Sequence, residues 1–186
     1  MRTVIIGSEG NVGRRLKTAF PGAIGIDRVA GADIVADLAT IDYDAPAVRD
    51  ALATAEAVIH VATSPNIAAP DDIHYQAVID TARLLAACQR YPVPRLLVPS
   101  SDWADPKAGW AGLNTYGHSK RVFETMAAMY RHSTGQICTA LRIGWVAHDL
   151  DEVARSPQWL QDNYWDDARL IAEVRAALGL ERQDSR

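Results

Sequence analysis

The sequence predicts an α/β fold: a Rossmann-type doubly wound parallel sheet in three α/β/α layers. Three observations point there. Short, nearly continuous apolar runs recur along the chain as "TVIIG", "AIGID", "AVIHVA", "RLLVPSS" and "ICTALRIGWV". Stretches of helical periodicity separate them, and strands apolar on both faces that alternate with helices belong to parallel sheets covered on both sides. The first run also passes through Gly7, Gly10 and Gly13 straight into a helical pattern.

The elements follow in order. "TVIIG" hands over to a helix at Asn11–Ala19, and "AIGID" ends in Asp27. A helix over 46–54 opens with Pro46, suited to a first turn because its missing N–H would be unpaired there anyway. After "AVIHVA" a long helix covers 71–90, with Asp71 and Asp72 as candidate caps. "RLLVPSS", a helix over 116–133 and "ICTALRIGWV" come next, with right-handed crossovers throughout. A last helix begins near Asp166 and Asp167 and runs through "ARLIAEVRAAL", and the tail "ERQDSR" is expected to fray. No repeat, low-complexity segment or linker divides the chain. The expectation is one domain over 1–186, with 147–186 a reduced helical segment.

The 186 residues, 48% hydrophobic and 23% charged, suit one domain with a sizeable core. A formal net charge of -4 gives no support for a nucleic-acid or membrane-surface partner. No apolar run approaches the ~20 residues that span a bilayer. The amino terminus enters a strand at once, leaving no room for a signal peptide, so a cytoplasmic location is expected. Cys88 and Cys138 lie in apolar stretches and suit structural thiols better than a disulfide. The histidines are scattered without metal-ligand spacing, so no metal is expected, and His60 is read as a packed strand residue. Arg14, Arg15 and Lys17 suit a solvated helix face.

Glycine costs conformational entropy unless backbone must approach something closely. In G-x-x-G-x-x-G, Gly7 permits the tight turn, Gly10 lets a pyrophosphate approach, and Gly13 lets the helix pack on the strand. Amides at the helix start, Asn11 and Val12, would then point at the anion, assisted by the helix dipole. The plain alternative is a turn that happens to be glycine-rich. Asp27, about 20 residues beyond the turn, can accept both hydroxyls of an adenosine ribose and would repel a 2′-phosphate. That favours NAD over NADP, although the neighbouring Arg28 could attract the phosphate. An ordinary turn acid is the alternative for Asp27.

Tyr116 and Lys120 are one helical turn apart and face the same way. Ser100 and Ser101 end a strand and could be brought opposite them. An ammonium beside a phenol is expected to lower the tyrosine pKa below its usual value of about 10. Such a phenol can exchange a proton with a substrate alcohol while hydride moves to or from a nicotinamide. The alternative is a snorkelling lysine beside a packed ring.

The ordered set "GSEGNVG", "GID", "ADLA", "AVIHVATS", "LLVPSS", "TYGHSK" and "ALRIGWV" resembles the NAD-dependent epimerase/dehydratase family of extended short-chain dehydrogenase/reductases, over roughly Met1 to Val146. Within that family the nearest likeness is to uronate dehydrogenases. The resemblance implies Tyr116 as general acid/base, Lys120 as its partner and a contact of the nicotinamide ribose, and Ser101 as the substrate-polarising serine. It places Asp37 and Leu38 against the adenine, Val61, Ala62 and Thr63 over the cofactor, and Ile143, Gly144 and Trp145 beside the nicotinamide. Ser64, Ser100, Asp102, Trp103, Trp145 and Arg155 are the substrate-side candidates.

Departures from the family pattern bear on substrate. Val78 stands where the family usually has an asparagine that supports the lysine through a water. Asp102 and Trp103 replace an asparagine and histidine that hold uronate, and Trp145 replaces a small serine, so uronate is not expected. The chain ends where relatives continue, which suggests an abbreviated substrate side. Trp103, Trp110, Trp145, Trp159 and Trp165 fall in loop-like stretches and could pack, line a pocket or meet a partner subunit. An NAD-dependent oxidoreductase acting on a small, possibly sugar-derived molecule is the leading expectation. A sugar epimerase or dehydratase, and a catalytically lapsed NAD-binding sensor or subunit, are the alternatives. A homodimer through helices 71–90 and 116–133 is expected, with Ile79, Ala82, Ala86, Phe123 and Met126 as candidate contacts.

Overall fold

The computed structural model describes residues 1–105 and 112–180. Trp110 and the "ERQDSR" tail lie outside the described residues. Six strands form one parallel sheet: β1 (Thr3–Ile6), β2 (Ile24–Asp27), β3 (Ile34–Val35), β4 (Ala57–His60), β5 (Arg95–Ser100) and β6 (Ile137–Arg142). Their order across the sheet is β3-β2-β1-β4-β5-β6. Strand order reverses between β1 and β4, and ligands of such sheets bind outside the carboxyl ends of the strands at that switch point.

Seven helices connect and cover the strands: α1 (Asn11–Ala19), α2 (Pro46–Ala53), α3 (Asp71–Arg90), α4 (Thr115–Thr134), α5 (Leu150–Arg155), α6 (Gln158–Gln161) and α7 (Asp167–Ala177). A 3-10 turn spans Asp102–Ala104. Side chains alternate across the sheet, which is why the strands are apolar throughout. Val4, Ile6, Val58, Leu96 and Val98 join Leu52, Leu84 and Phe123 from α2, α3 and α4 in one core layer. Ile5, Ile59 and Leu97 point the other way, onto Leu16 of α1 and Leu170 and Val174 of α7.

Several local expectations are met by side-chain chemistry. Pro46 opens α2 in its first turn, and Asp166 caps α7 by accepting from the Arg169 amide. α4 starts one residue earlier than expected because Asn114 caps it, its Oδ1 2.9 Å from the Gly117 amide. Gly135 ends it in the left-handed conformation. Asp71 and Asp72 do not cap α3. Pro70 occupies the cap position and the two carboxylates lie in the first turn, where they favour the helix dipole.

Three elements were not expected. β3 is only two residues long, and its pairing to β2 is steadied by the Ala36 amide bonding the Asp27 carbonyl at 2.8 Å. α5 and α6 have six and four residues, too few to show a hydrophobic period. The run "ICTALRIGWV" also divides: β6 stops at Arg142, and Trp145 then pairs with 163–165 through two backbone hydrogen bonds of 2.8 Å. Cys88 and Cys138 are free and buried, as expected.

Gly13 is where α1 meets the turn after β1. A Cβ there would fall 2.0 Å from the Gly7 carbonyl oxygen and 2.8 Å from backbone carbons of Gly7 and Ser8. Backbone cannot rotate away, so Gly13→Ala should destabilise the protein by about 2–4 kcal/mol. At Gly10 the nearest atom would be 3.4 Å away and φ is -73, so Gly10→Ala should cost under about 1 kcal/mol. Urea midpoints of the two variants test the contrast. Equal losses would show that the close approach at Gly13 does not hold the turn.

Candidate active site

The bay at the carboxyl ends of β1, β2 and β4 is built by close backbone contact. Gly7 has φ +87, and a Cβ on it would meet the Ala62 amide nitrogen at 2.7 Å. β1 and the end of β4 therefore touch through main chain alone. The turn closes with the Gly10 amide on the Gly7 carbonyl, 3.2 Å. Gly10 is exposed, and α1 begins directly behind it with no acidic side chain in its first turn. The amides of Asn11 and Val12 thus stand at an open helix start, the arrangement that suits a diphosphate. Glu9 sits in the same turn, but its carboxylate faces α1, 3.6 Å from Arg14 and 3.8 Å from Lys17.

Asp27 ends β2, its Oδ2 2.9 Å from the Glu9 amide. That bond ties the carboxylate to the glycine turn, on the side where an adenosine ribose would lie. Arg28 follows it in an exposed position. Asp37 accepts from the Ala39 amide at 3.0 Å, an Asx-type turn. Leu38 is buried in the core, and its carbonyl takes a hydrogen bond from Arg83 of α3, 3.1 Å. The side chain of Leu38 is thus core, and only its backbone can border an adenine. Val61 packs against the core layer under α1, and Thr63 carries its hydroxyl to Lys120.

α4 brings Tyr116 and Lys120 to the same bay, both buried, at 7% and 3% exposure. Gly117 in "TYGHSK" is needed because a Cβ there would lie 2.4 Å from the Trp103 carbonyl oxygen. The loop after β5 therefore lies directly on the first turn of α4, and this brings Ser101 within hydrogen-bonding reach of the Tyr116 hydroxyl. Lys120 Nζ donates to Thr63 Oγ1 at 3.2 Å and lies 5.0 Å from the Tyr116 ring centre and 4.9 Å from that of Phe123.

Burial shifts both groups. The Lys120 ammonium is pushed down to about 7 by desolvation. Tyr116 moves opposite to the expectation: desolvation raises its phenol, and the Ser101 hydrogen bond only partly offsets this. Burial removes the water that would stabilise a phenolate, and Lys120, itself discharged by burial, offers no cation where the phenol titrates. The free protein holds Tyr116 as a proton donor.

Ser100 and Ser101 face opposite sides of their strand. Ser100 Oγ donates its proton to Glu124, 2.7 Å away, which leaves it only acceptor lone pairs to offer a substrate. Glu124 is held in turn by two bonds to Arg142, of 2.7 and 3.1 Å, and Arg142 also reaches Asp105 at 2.5 Å. This Ser100–Glu124–Arg142–Asp105 chain fixes both ends of the Ser101 loop, and sequence reasoning missed it. Glu124 was within reach of a helical-face argument, lying one turn beyond Lys120. His74 was missed too: its ring stands edge-on to Tyr116 at 5.4 Å, one turn before Val78 on α3.

The remaining candidates are dispersed. Ser64 accepts from the Asn66 amide at 3.3 Å within the loop after β4. Asp102 is exposed and Trp103 half-buried on the 3-10 turn. Arg155 is exposed at the end of α5, bonded to its own helix. Gly144 is covered by the Trp165 indole, which a Cβ there would approach to 2.4 Å. Trp165 is buried, Trp159 is 58% exposed, and Trp145 stacks edge-on with Tyr164 at 5.9 Å. Among the described residues no group of His, Cys, Asp or Glu could hold a metal ion. No helix of the described residues is long and apolar enough to cross a membrane.

A parallel sheet of this order with a glycine turn at its switch point defines a dinucleotide-binding fold. Residues 3–147 match the NAD dependent epimerase/dehydratase family, and the chain belongs to it. No curated protein matches the sequence. Among solved structures it is similar to a mutated uronate dehydrogenase, at 21% identity and TM-score 0.75, over 97% of this chain and 70% of that one. A glucuronic acid dehydrogenase from Chromohalobacter salexigens matches at 21% identity and TM-score 0.75, over 97% and 73%. A UDP-N-acetylglucosamine 4-epimerase from Bacillus cereus matches at 20% identity and TM-score 0.63, over 79% of this chain. The chain spans about half, 54%, of that epimerase. At these identities the likeness is one of fold.

Lys120 gives a test of the site's dryness. A lysine held at about 7 against its ordinary 10.5 destabilises the fold below pH 7, by an amount on the order of 5 kcal/mol before ring contacts offset part of it. The penalty declines as pH rises from 7 to 10.5, because the unfolded chain then holds the extra proton. Lys120→Met should therefore raise the melting temperature, most at pH 6 and least at pH 10. A variant less stable than wild type at pH 6 would overturn this.

Proposed function

We propose that the protein is an NAD-dependent oxidoreductase that interconverts a hydroxyl and a carbonyl on a small, sugar-like molecule. The observation that carries this is the convergence of buried Ser101 and Lys120 on buried Tyr116, beside a glycine turn whose open amides suit a diphosphate. When bound, the nicotinamide coenzyme supplies the hydride chemistry. Gly7, Gly10 and the amides of Asn11 and Val12 hold its diphosphate, and Asp27 holds the adenosine ribose. Thr63, Lys120 and the backbone at Ile143 and Gly144 border the nicotinamide end. Ser101 positions the substrate oxygen, and Tyr116 gives a proton to it or takes one from it. Asp27 favours NAD over NADP through repulsion of a 2′-phosphate. Trp103, Trp145, Asp102 and Arg155 remain substrate-side candidates.

Because Tyr116 is buried as a phenol, its substitution by Phe should leave the pocket's shape intact. Tyr116→Phe should lower turnover by at least a hundredfold, in the range general acid–base groups supply, with NAD affinity by calorimetry changed less than threefold. Undiminished turnover would remove Tyr116 from its role. Absence of binding by both NAD and NADP would remove the whole proposal. Accumulation of NADH from an alcohol substrate separates this reaction from an epimerisation, which forms none.

We further propose a homodimer paired through α3 and α4. Tyr75 and Ile79 on α3 and Val122 and Met129 on α4 are exposed apolar side chains, the surface such a pairing would cover. Phe123, expected among the contacts, is fully buried inside the protein and cannot take part, and Met126 packs against the core. Sedimentation at micromolar concentration should show a dimer that Ile79→Glu converts to monomer. A wild-type monomer would refute it.

A further inference from the structure

His60 ends β4 and has no exposed surface. Its Nε2 lies 3.0 Å from Thr81 Oγ1 on α3. The Thr81 hydroxyl owns one proton, which it donates to the Ala77 carbonyl 2.7 Å away. It can therefore only accept from the ring, and the proton of a neutral His60 sits on Nε2. Nδ1 is left as a bare acceptor, buried, with no partner among the described residues. Desolvation, and secondarily the charge of Lys120, holds this imidazole down at about 3, so it stays neutral at any working pH.

Lys120 has the complementary shortage. Of its three N–H groups one goes to Thr63 Oγ1. The rings of Tyr116 and Phe123 offer electron-rich faces but no lone pair. Thr63 is three residues beyond His60, and its amide bonds the Val61 carbonyl at 2.9 Å, which folds the strand end back. The other titratable groups packed around the ammonium are Tyr116, His74 on α3, and Glu124 one turn further on α4. Glu124 is spent on Ser100 and Arg142. His74 is buried with an unpartnered Nε2, but nothing fixes that nitrogen as an acceptor. The charge of Lys120 is felt at the His60 ring, and a buried donor with N–H groups to spare and a buried acceptor without a donor are costly to leave apart.

We propose that one water bridges Lys120 Nζ to His60 Nδ1, which accepts its hydrogen bond, with Thr81 locking the imidazole in the tautomer that permits it. His60 is then a positioning residue. It aims the ammonium that flanks Tyr116, and because an acceptor favours the charged form it opposes the desolvation that discharges Lys120. This rests on the reading of Lys120 as the partner of Tyr116, but the bond itself is a property of the free protein.

Nitrogen-15 NMR of the histidine rings in the free protein tests it. His60 should appear as the Nε2–H tautomer, with its Nδ1 resonance displaced by a hydrogen bond. The displacement should vanish in Lys120→Met and persist in His74→Phe. In the wild-type protein the same resonance should move as Lys120 loses its proton, with a midpoint above the value of about 7 that burial alone sets, which checks the bond without any substitution. A proton on Nδ1, a resonance indifferent to Lys120→Met, or one flat between about pH 5 and 11 would each overturn the proposal. So would a response to His74→Phe in place of Lys120→Met. A purely space-filling His60 moves none of these signals. Neither measurement involves a coenzyme, so failure to bind NAD would sink the oxidoreductase reading and leave this one standing.

Discussion

Much of this molecule follows from one close approach, main chain against main chain where β1 gives way to α1. The Gly7 carbonyl lies where a Gly13 side chain would be, and the Gly7 α-carbon lies against the Ala62 amide. With no side chains between them, α1 sits low on the sheet and its first amides remain open at the switch point. Had either glycine carried a Cβ, α1 would stand further out and the bay would lose its floor. The tie from Glu9 to Asp27 depends on the same turn, so the ribose-side carboxylate is placed by the contact that places the diphosphate amides.

On the other side of the switch point the governing effect is desolvation. Lys120 lies between α3, α4 and the end of β4, and no carboxylate reaches it among the described residues. Charged lysine there is opposed by several kcal/mol, and the counterweights are modest: one threonine hydroxyl and two ring faces. The same dryness raises the Tyr116 phenol. A site of this kind trades stability for tuned acid–base groups, a pattern common where proton transfer is required. The Ser100–Glu124–Arg142–Asp105 chain does the opposite job. It fully pairs its charges and thereby gives the Ser101 loop a fixed base.

What the sequence made legible was what lies close along the chain. Gly7, Gly10 and Gly13 lie within one turn, and Tyr116 and Lys120 are four apart on one helix, so period alone puts them together. The apolar runs marked five strands because their apolar residues feed one or both core layers. β3 escaped because two residues, one of them exposed, carry no period. Asn114 as a cap was available from residue type, since Asn before a helical run is a common start. The Ser100 and Ser101 pair could be split by strand parity, but which of them faces Tyr116 depends on the side α4 occupies, and that is a tertiary fact. The direction of the Tyr116 shift is hidden for a related reason: adjacency of Lys120 is visible in sequence, whereas the burial that raises the phenol and discharges the lysine is not.

His60 owes its character to the fold more than to its neighbours in the chain. In the sequence it was only a polar residue ending an apolar run, and a packed histidine was a sufficient description. The fold adds Thr81, 21 positions away, and the Ala77 carbonyl, and these two bonds together leave a single tautomer. Val78, one residue past Ala77, presents an alkyl side chain to the same region, so α3 offers Lys120 no amide oxygen from that position. The acceptor proposed above comes instead from the end of β4. That shifts the support of the ammonium from a helix, which can slide, to the end of a central strand hydrogen-bonded on both sides, where Ile59 pairs with Ile5 and Leu97.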